Sequence, residues 1–424
     1  MFPLYALSLA LLVPANPDQR LPSISLEDLP HQPFVELLER DRSEEYSPDE
    51  LRALRSKIEQ ERDERIETLR KTEETWKKQL ASDRHDLETL NKASSTDSED
   101  AVRRRAALHI EIAALERGIR EKALERERTL PAQYELQLTK LWLVERWPER
   151  RTEILQRIGE GLARNRRHGD AVDIGYRKLV NDPEKDIESG QQAARQMVAG
   201  GWLPFELQDN EVQVYVRRIA SKIAANSDLK VPLHVTVLDS SEPKAIALPG
   251  GFLYVTSGVI RAARSESELA GVLSREIARI AARHATRVSK ASWISRLFVP
   301  VTQIATGIFA GGPVNPGAYY GINYGVEGIG GLLGRALNGT AEGLQAEADQ
   351  LGVQYAWKAG YDPRGFVAFV DSIAGRQGQQ FLSDEPPLRQ RLLKIFGEIQ
   401  YLLAQEQQVY DSGEFDGISR RLNR

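Results

Sequence analysis

The chain has 424 residues, more than one ordinary hydrophobic core supports, so at least two structural units are predicted. Its 57 Lys and Arg nearly balance its 61 Asp and Glu, and a net charge of -4 gives no electrostatic reason to expect a nucleic acid partner. The sequence has no cysteine, which excludes disulfides, thiolate metal sites and a cysteine nucleophile.

An apolar run, Leu4–Val13, stands near the N-terminus and is followed by Pro14-Ala15. The run is too short to span a bilayer, so residues 1–15 are typical of a secretory signal, although no Lys or Arg precedes them. A buried N-terminal strand is the alternative. We expect an exported protein, periplasmic or extracellular, in which residues 16–46 form a polar linker.

Residues 47–130 predict a charged helical hairpin, with Ser47-Pro48 at the start of its first helix. Both arms carry a narrow apolar seam, separated by the breaker "NKASSTDSED". The seam residues are Leu51, Leu54, Ile58, Ile66 and Leu69, then Leu108, Ile112, Leu115 and Ile119. This spacing is typical of an antiparallel coiled coil that would allow self-association, and a solvated helix pair without a partner has equal weight. Residues 131–185 continue as connecting helices, in which Pro148 predicts a break.

Residues 186–424 form a second predicted unit with a different pattern. Amphipathic helices over "IESGQQAARQMVAG" and "NEVQVYVRRIASKIAANSD" precede the strand "VPLHVTVLDS". Two further strands flank a turn at Pro249–Gly251, and a helix opens near Ser267-Glu268. No charged residue occurs in 297–326, where glycine and proline are frequent, so a loop or short buried helices over a site, or contact with a membrane surface, are predicted there.

The helix "LAGVLSREIARIAARHAT" contains the sequence Arg275-Glu276-Ile277-Ala278-Arg279. In zinc peptidases two histidines at this spacing hold the metal, and the glutamate between them takes a proton from the metal-bound water. Here the spacing is kept and both histidines are replaced by arginine. By itself such a pattern is common in charged helices.

Three other segments occur in the order and approximate spacing of one family: "ALPGGFLYVTSGVI", "EADQLGVQYAWKAGYDPRGF" and "YDSGEFDGISRRL". With the central helix, they make residues 186–424 resemble the zinc metallopeptidases of family forty-eight. The resemblance implies an α+β, mainly α fold: the N-terminal helical hairpin, then a gluzincin-like peptidase domain with a small sheet. The helical region before residue 186 is not covered by it.

The resemblance also assigns site residues. The two histidine ligands fall on Arg275 and Arg279, the catalytic glutamate on Glu276, the third ligand on Gln345, and the aspartate that orients a ligand histidine on Asp349. A peptide substrate would add beside an edge strand, which matches Ala247, Leu248, Pro249 and Gly250. The family's His-Pro pair becomes Glu385-Pro386, followed by the expected arginine, Arg391.

Every zinc ligand of the family is therefore replaced, and no metal or other cofactor is expected. The histidines of residues 186–424 are His234 and His284, and the second is interpreted as a hydrogen-bonded structural residue. Since carboxylates in a metal-free pocket need a cation, we predict that Arg275 or Arg279 pairs with Glu276 or Asp349.

The predicted function is that of a pseudo-protease, which binds peptides or unfolded proteins as a chaperone or scaffold in protein quality control of the cell envelope. Two alternatives stay open. One is an active metalloendopeptidase with a remodelled metal site. The other is a structural coiled-coil protein whose second domain only caps the helices.

Overall fold

A computed structural model describes residues 24–39, 46–93, 98–160, 169–177, 179, 182–201, 203–288, 342–373, 388–402 and 408–423. The predicted signal segment, the uncharged stretch 297–326 and Glu385-Pro386 lie outside these residues. The described chain is mainly helical with one small sheet, so the predicted fold class is confirmed. None of its helices combines the length and hydrophobicity needed to cross a membrane.

Long helices dominate the first part of the chain. They are α1 (Phe34–Glu39), α2 (Pro48–Ala93), α3 (Glu99–Leu124) and α4 (Leu130–Gly159). A π-helical turn, Glu125–Thr129, joins α3 to α4 without a break.

Helices α2 and α3 pack side by side and run antiparallel. Glu73 pairs with Arg126 at 2.7 Å, and Arg84, later in α2, pairs with Glu116, earlier in the chain than Arg126, at 2.6 Å, so the two helices run in opposite directions. Gly118 allows close packing, because a Cβ there would lie 2.8 Å from the ring of Trp76. The hairpin predicted from the two apolar seams is therefore present.

The predicted break at Pro148 is wrong, since α4 runs through this residue. A proline inside a helix costs about 3 kcal/mol, so packing around it must offset that cost. The neighbouring Trp147 is fully buried, donates its indole N–H to the carbonyl of Leu38 at 3.0 Å, and meets Phe396 edge to face at 5.3 Å. These contacts hold α4 as one helix.

The second part of the chain alternates helices with the strands of the sheet. In order it contains α5 (Pro183–Ala199), α6 (Asn210–Ala225), β1 (His234–Leu238), β2 (Ala245–Leu248), β3 (Phe252–Thr256), α7 (Ser257–Ala262), α8 (Glu266–Ala281), α9 (His284–Val288), α10 (Glu342–Lys358), α11 (Gly365–Ile373), α12 (Leu388–Gln400) and α13 (Phe415–Leu422).

The sheet has the strand order β1-β3-β2. Strand β1 is parallel to β3, and β2 is antiparallel to β3, with Ala247 opposite Leu253 and Leu248 opposite Phe252. Strand β2 is therefore at one edge, and the side chains of Ala245 and Ala247 on its inner face pack against the main core.

Helix α8 lies at the centre of this domain, and all of its residues are buried. Its N-terminus is capped by the side chain of Ser265, which accepts from the backbone N–H of Glu268. Helices α6, α10 and α11 pack around it, and Gly271 gives the backbone of Phe366 room, because a Cβ there would lie 2.3 Å from that residue's nitrogen. A helix enclosed in this way needs an internal partner for every charged side chain it carries.

Candidate functional site

The residues that the sequence assigns to the site come together between α8 and α10. Arg275, Glu276 and Arg279 lie on α8, and Gln345 and Asp349 lie on α10. The two helices can approach because α10 has a glycine at the contact: a Cβ on Gly352 would lie 2.8 Å from the Cα of Arg275.

Arg275 donates hydrogen bonds to three of these residues. Its Nε is 2.7 Å from Asp349 Oδ1, its Nη1 is 2.9 Å from Glu276 Oε1, and its Nη2 is 2.6 Å from Gln345 Oε1. The side chain is only 4 % exposed, so these are charge-assisted bonds in a dry setting. The predicted pairing of Arg275 with Glu276 and Asp349 is present, and its guanidinium also bonds to Gln345, which stands at the family's third ligand position.

Asp349 is shared by two arginines from different helices. Besides its bond to Arg275, it accepts from Arg391 of α12, at 2.8 Å from Nε to Oδ2 and 3.0 Å from Nη2 to Oδ1. Burial by itself raises the pKa of Asp349, but the charges of Arg391 and Arg275 outweigh burial and lower the pKa to about 2. Asp349 is therefore a carboxylate at any physiological pH.

Arg279 is the second arginine at a ligand position, and its contact with Glu276 is longer. Arg279 Nη1 lies 3.6 Å from Glu276 Oε2, an ion pair beyond hydrogen-bonding distance. Within the described residues, Glu276 Oε2 has no hydrogen-bond partner. The carboxylate of Glu276 is thus held by Arg275 through one oxygen and faces Arg279 with the other.

These side chains do not fit a zinc ion. Zinc needs neutral imidazole, thiolate or carboxylate donors, whereas Arg275 and Arg279 are permanent cations and Gln345 is a neutral amide bonded to one of them. Among the described residues, no group of three or more His, Asp or Glu side chains is arranged to hold a metal ion. The site is instead a buried network of arginines and carboxylates.

His284 follows the end of α8 and lies outside this network. It is buried, and its Nε2 is 3.1 Å from Glu347 Oε2, as expected for a structural histidine. Glu347 also accepts from Arg287 at 2.5 Å. Burial lowers the pKa of His284; Glu347 opposes this, and the charges of Arg279 and Arg287 add to it. Glu347 and Arg287 were not predicted as partners of this histidine, because in the sequence only their charge distinguishes them.

The predicted peptide edge lies at the end of β2. Ala247 and Leu248 belong to the strand, and Pro249 and Gly250 form the turn after it. Helix α5 lies against this turn, because a Cβ on Gly190 would be 1.9 Å from the carbonyl oxygen of Pro249. Gly250, with φ of 71°, also approaches the backbone of α5, since a Cβ there would lie 2.4 Å from the Cα of Ile187.

A further pair, also missed by the sequence analysis, fixes α5 to the end of α8. Arg283 donates to both carboxylate oxygens of Asp186, at 2.6 and 2.8 Å, and Thr286 donates to one of them at 3.0 Å. Residues 97 positions apart form this pair, so no local pattern could have revealed it.

Comparison with known proteins gives consistent results. The sequence profile of peptidase family M48 matches residues 206–399, which contain the whole network described above. The chain is 26% identical over 210 residues to the beta-barrel assembly-enhancing protease of Yersinia pestis, covering 48% of this chain and 40% of that protein. It is 26% identical over 212 residues to the protein of that name in Escherichia coli, with the same coverage.

A eukaryotic protein shows similar identity. The mitochondrial metalloendopeptidase OMA1 of Schizosaccharomyces pombe is 26% identical over 238 residues, which are 54% of this chain and 66% of that protein. The matched part therefore spans between two fifths and two thirds of the length of these relatives.

Proposed function

Since the chain belongs to peptidase family M48, a family that normally uses zinc, we propose that it is a member that does not cleave peptides and binds them instead. The observation that carries the proposal is the position of Arg275, whose guanidinium bonds to Gln345, Glu276 and Asp349 at once. A cation of the protein itself stands where the family pattern requires a metal.

The chemistry of the network supports this view. A family glutamate acts as a base on metal-bound water, but Glu276 is only 1% exposed and bonded to Arg275. One carboxylate oxygen of Glu276 is occupied by the Arg275 guanidinium, and burial keeps this side chain away from bulk water. Arg275 therefore supplies positive charge in place of the family's zinc and also hydrogen-bonds to Glu276, the residue that would act as the base.

Peptide binding remains open to such a protein, because it depends on backbone groups and not on the metal. An extended peptide can add to the edge of a sheet through main-chain hydrogen bonds. Strand β2 is an edge strand, and Pro249, in the turn after it, lines the same small pocket as Arg279. We propose Ala247, Leu248, Pro249 and Gly250 as the contact edge for peptide or unfolded-protein ligands.

The cellular role is proposed from the names of two relatives and from the N-terminal sequence. The names of the Yersinia pestis and Escherichia coli relatives refer to beta-barrel assembly, which supports a chaperone or scaffold role in the cell envelope. The apolar run Leu4–Val13 supports export. The helical hairpin would supply a second surface for partners or for self-association.

Metal content and proteolysis test the proposal together. Purified, tag-free wild type and the variant Arg275→His/Arg279→His/Gln345→Glu are analysed for bound zinc and for cleavage of an unfolded casein substrate. We expect no zinc and no cleavage in the wild type, and near-stoichiometric zinc in the triple variant, which restores the family's donors. Stoichiometric zinc with chelator-sensitive cleavage in the wild type would instead establish an active enzyme with a remodelled site.

Peptide binding needs its own measurement. A fluorescein-labelled peptide of alternating Val and Thr is titrated with the wild type and with Ala247→Pro, since a proline in an edge strand removes a backbone donor and obstructs an added strand. We expect saturable binding to the wild type and weaker binding to the variant, with circular dichroism as the check on folding. Equal binding to both would remove β2 as the contact edge.

A further inference from the structure

In the contact between α5 and the end of α8, the carboxylate of Asp186 is held as a carboxylate ligand would be held in a binding site. The carboxylate of Asp186 accepts two parallel bonds from Arg283 and a third from the hydroxyl of Thr286. This bidentate geometry is the one with which arginine recognises carboxylates of peptide ligands. Here the carboxylate comes from the chain itself.

The backbone is adapted to this contact. Arg283 has φ of 57° and is the non-glycine residue with positive φ in the described part of the chain. A non-glycine residue in this region is strained, and the conformation persists where the surrounding structure requires it. The turn after α8 therefore presents the guanidinium in a fixed direction.

The site is next to the proposed peptide edge. A small pocket beside Asp186 is lined by Ala247, Leu248 and Pro249 on one side and by Arg279, Arg283 and Thr286 on the other. A peptide that continues along β2 past Leu248 would bring a side chain to this pocket. Besides Asp186 itself, the polar side chains that line the pocket are Arg279, Arg283, His284 and Thr286, and the two arginines suit a carboxylate.

The packing of α5 is suited to release. Its buried apolar residues are small apart from Met197, and with Leu248 they form a cluster separate from the main core; the others are Ala193 and Ala194. An element that buries few apolar groups in a separate cluster opens at lower free energy than the core does. The Asp186 pair, together with the close backbone contact at Gly190 and Gly250, then holds the first turns of α5.

We propose that Arg283 and Thr286 form a carboxylate-binding site, that Asp186 is its resident occupant, and that an acidic peptide side chain displaces Asp186 together with the first turns of α5. The proposal rests on the peptide-binding function above and specifies its ligand class: extended peptides with Asp or Glu at the position that follows the β2 contact. Asp186 on helix α5 thereby competes, from within the same chain, with the peptide carboxylate for Arg283 and Thr286.

The test uses the full chain and two C-terminally amidated, fluorescein-labelled peptides of alternating Val and Thr. They differ only by one central Glu or Gln. Binding is measured by anisotropy for wild type, Asp186→Asn, Arg283→Gln and the control Glu188→Gln. The control makes the same charge change at an exposed residue of the same helix.

We expect Asp186→Asn to bind the Glu peptide about tenfold more tightly than the wild type, because the competing carboxylate is gone; tenfold corresponds to the net contribution of one charge-assisted bond. Its affinity for the Gln peptide should change much less. Arg283→Gln should bind both peptides alike, and Glu188→Gln should behave as the wild type. Hydrogen exchange should report faster opening of 183–199 in Asp186→Asn.

The outcomes separate this inference from the function on which it rests. If both peptides bind but Asp186→Asn shows no gain for Glu over Gln, the pair is only structural and the inference is wrong, while peptide binding stands. If neither peptide binds any of the four proteins, both proposals fail. If Asp186→Asn exchanges in 183–199 at the wild-type rate, α5 is not released and the displacement is refuted.

Discussion

Replacement of Arg275 by alanine is the most direct test of the idea that an arginine has taken the role of the metal in the fold. The substitution removes three hydrogen bonds, to Asp349, Glu276 and Gln345, at 2.6 to 2.9 Å. Asp349 keeps its two bonds to Arg391, so it remains paired. Glu276 loses its short contact and keeps the ion pair at 3.6 Å to Arg279.

The expected loss follows from this difference. Breaking a buried ion pair by removing one partner costs about 3–5 kcal/mol, because the remaining charge is left buried. Glu276 is the group left in this state, and it is 1% exposed. For a domain of about 200 residues, such a loss lowers the melting temperature by roughly 10 °C.

The assay is chemical and thermal unfolding of the full chain, followed by far-ultraviolet circular dichroism. Arg275→Lys is the matched control: it keeps the charge but not the planar group that reaches three acceptors, so an intermediate loss is expected. Arg279→Ala, at the other ligand position, should cost less than Arg275→Ala. An unchanged unfolding midpoint for Arg275→Ala would refute the view that this guanidinium stabilises the site.

Three further effects follow from the geometry of the domain. Gly352→Ala should lower stability by about 1–3 kcal/mol through overpacking against α8, whereas Gly159→Ala, where a Cβ meets nothing within 4 Å, should be close to neutral in the same unfolding assay. The pKa of Asp349 is lowered from 3.8 to about 2, so the stabilisation by its carboxylate is complete above pH 4 and is lost as pH falls toward 2. Between pH 5 and pH 2, the unfolding midpoint should therefore fall less steeply for Asp349→Asn than for the wild type. Burial lowers the pKa of His284 below 6.5, so on acidification the imidazole is protonated in the unfolded chain before it is in the folded one, and stability should decrease as pH falls below 6.5. The variant His284→Gln should show a smaller decrease. The same slope of stability against pH in both proteins would contradict this role of His284.

Local patterns in the sequence were sufficient to predict the main elements of the fold. The apolar spacing predicted the hairpin, and the Pro-Gly-Gly turn predicted the join between β2 and β3. The apolar spacing around Arg275, Glu276 and Arg279 predicted their helix, whereas their assignment to a site came from the resemblance to the family and not from the local pattern. Each of these signals depends on residues within one or two turns of each other.

The features that the sequence did not predict depend on distant contacts. Pro148 has a strong local preference against a helix interior, and only the burial of Trp147 against Leu38 and Phe396 shows why the helix continues. The Asp186–Arg283 pair likewise could be predicted only if the packing of α5 against the turn after β2 were already known. In both cases tertiary contacts decide the outcome, and propensity does not contain them.

Long-range contacts also connect α4, the helix that follows the hairpin, to the site. Helix α4 packs on α12 through Trp147 and Phe396, and α12 carries Arg391, which shares Asp349 with Arg275. Detaching α4 would expose Phe396 and loosen the helix that positions Arg391. Helix α4 thus supports, through Phe396, the helix that supplies one of the two arginines bound to the buried carboxylate of Asp349.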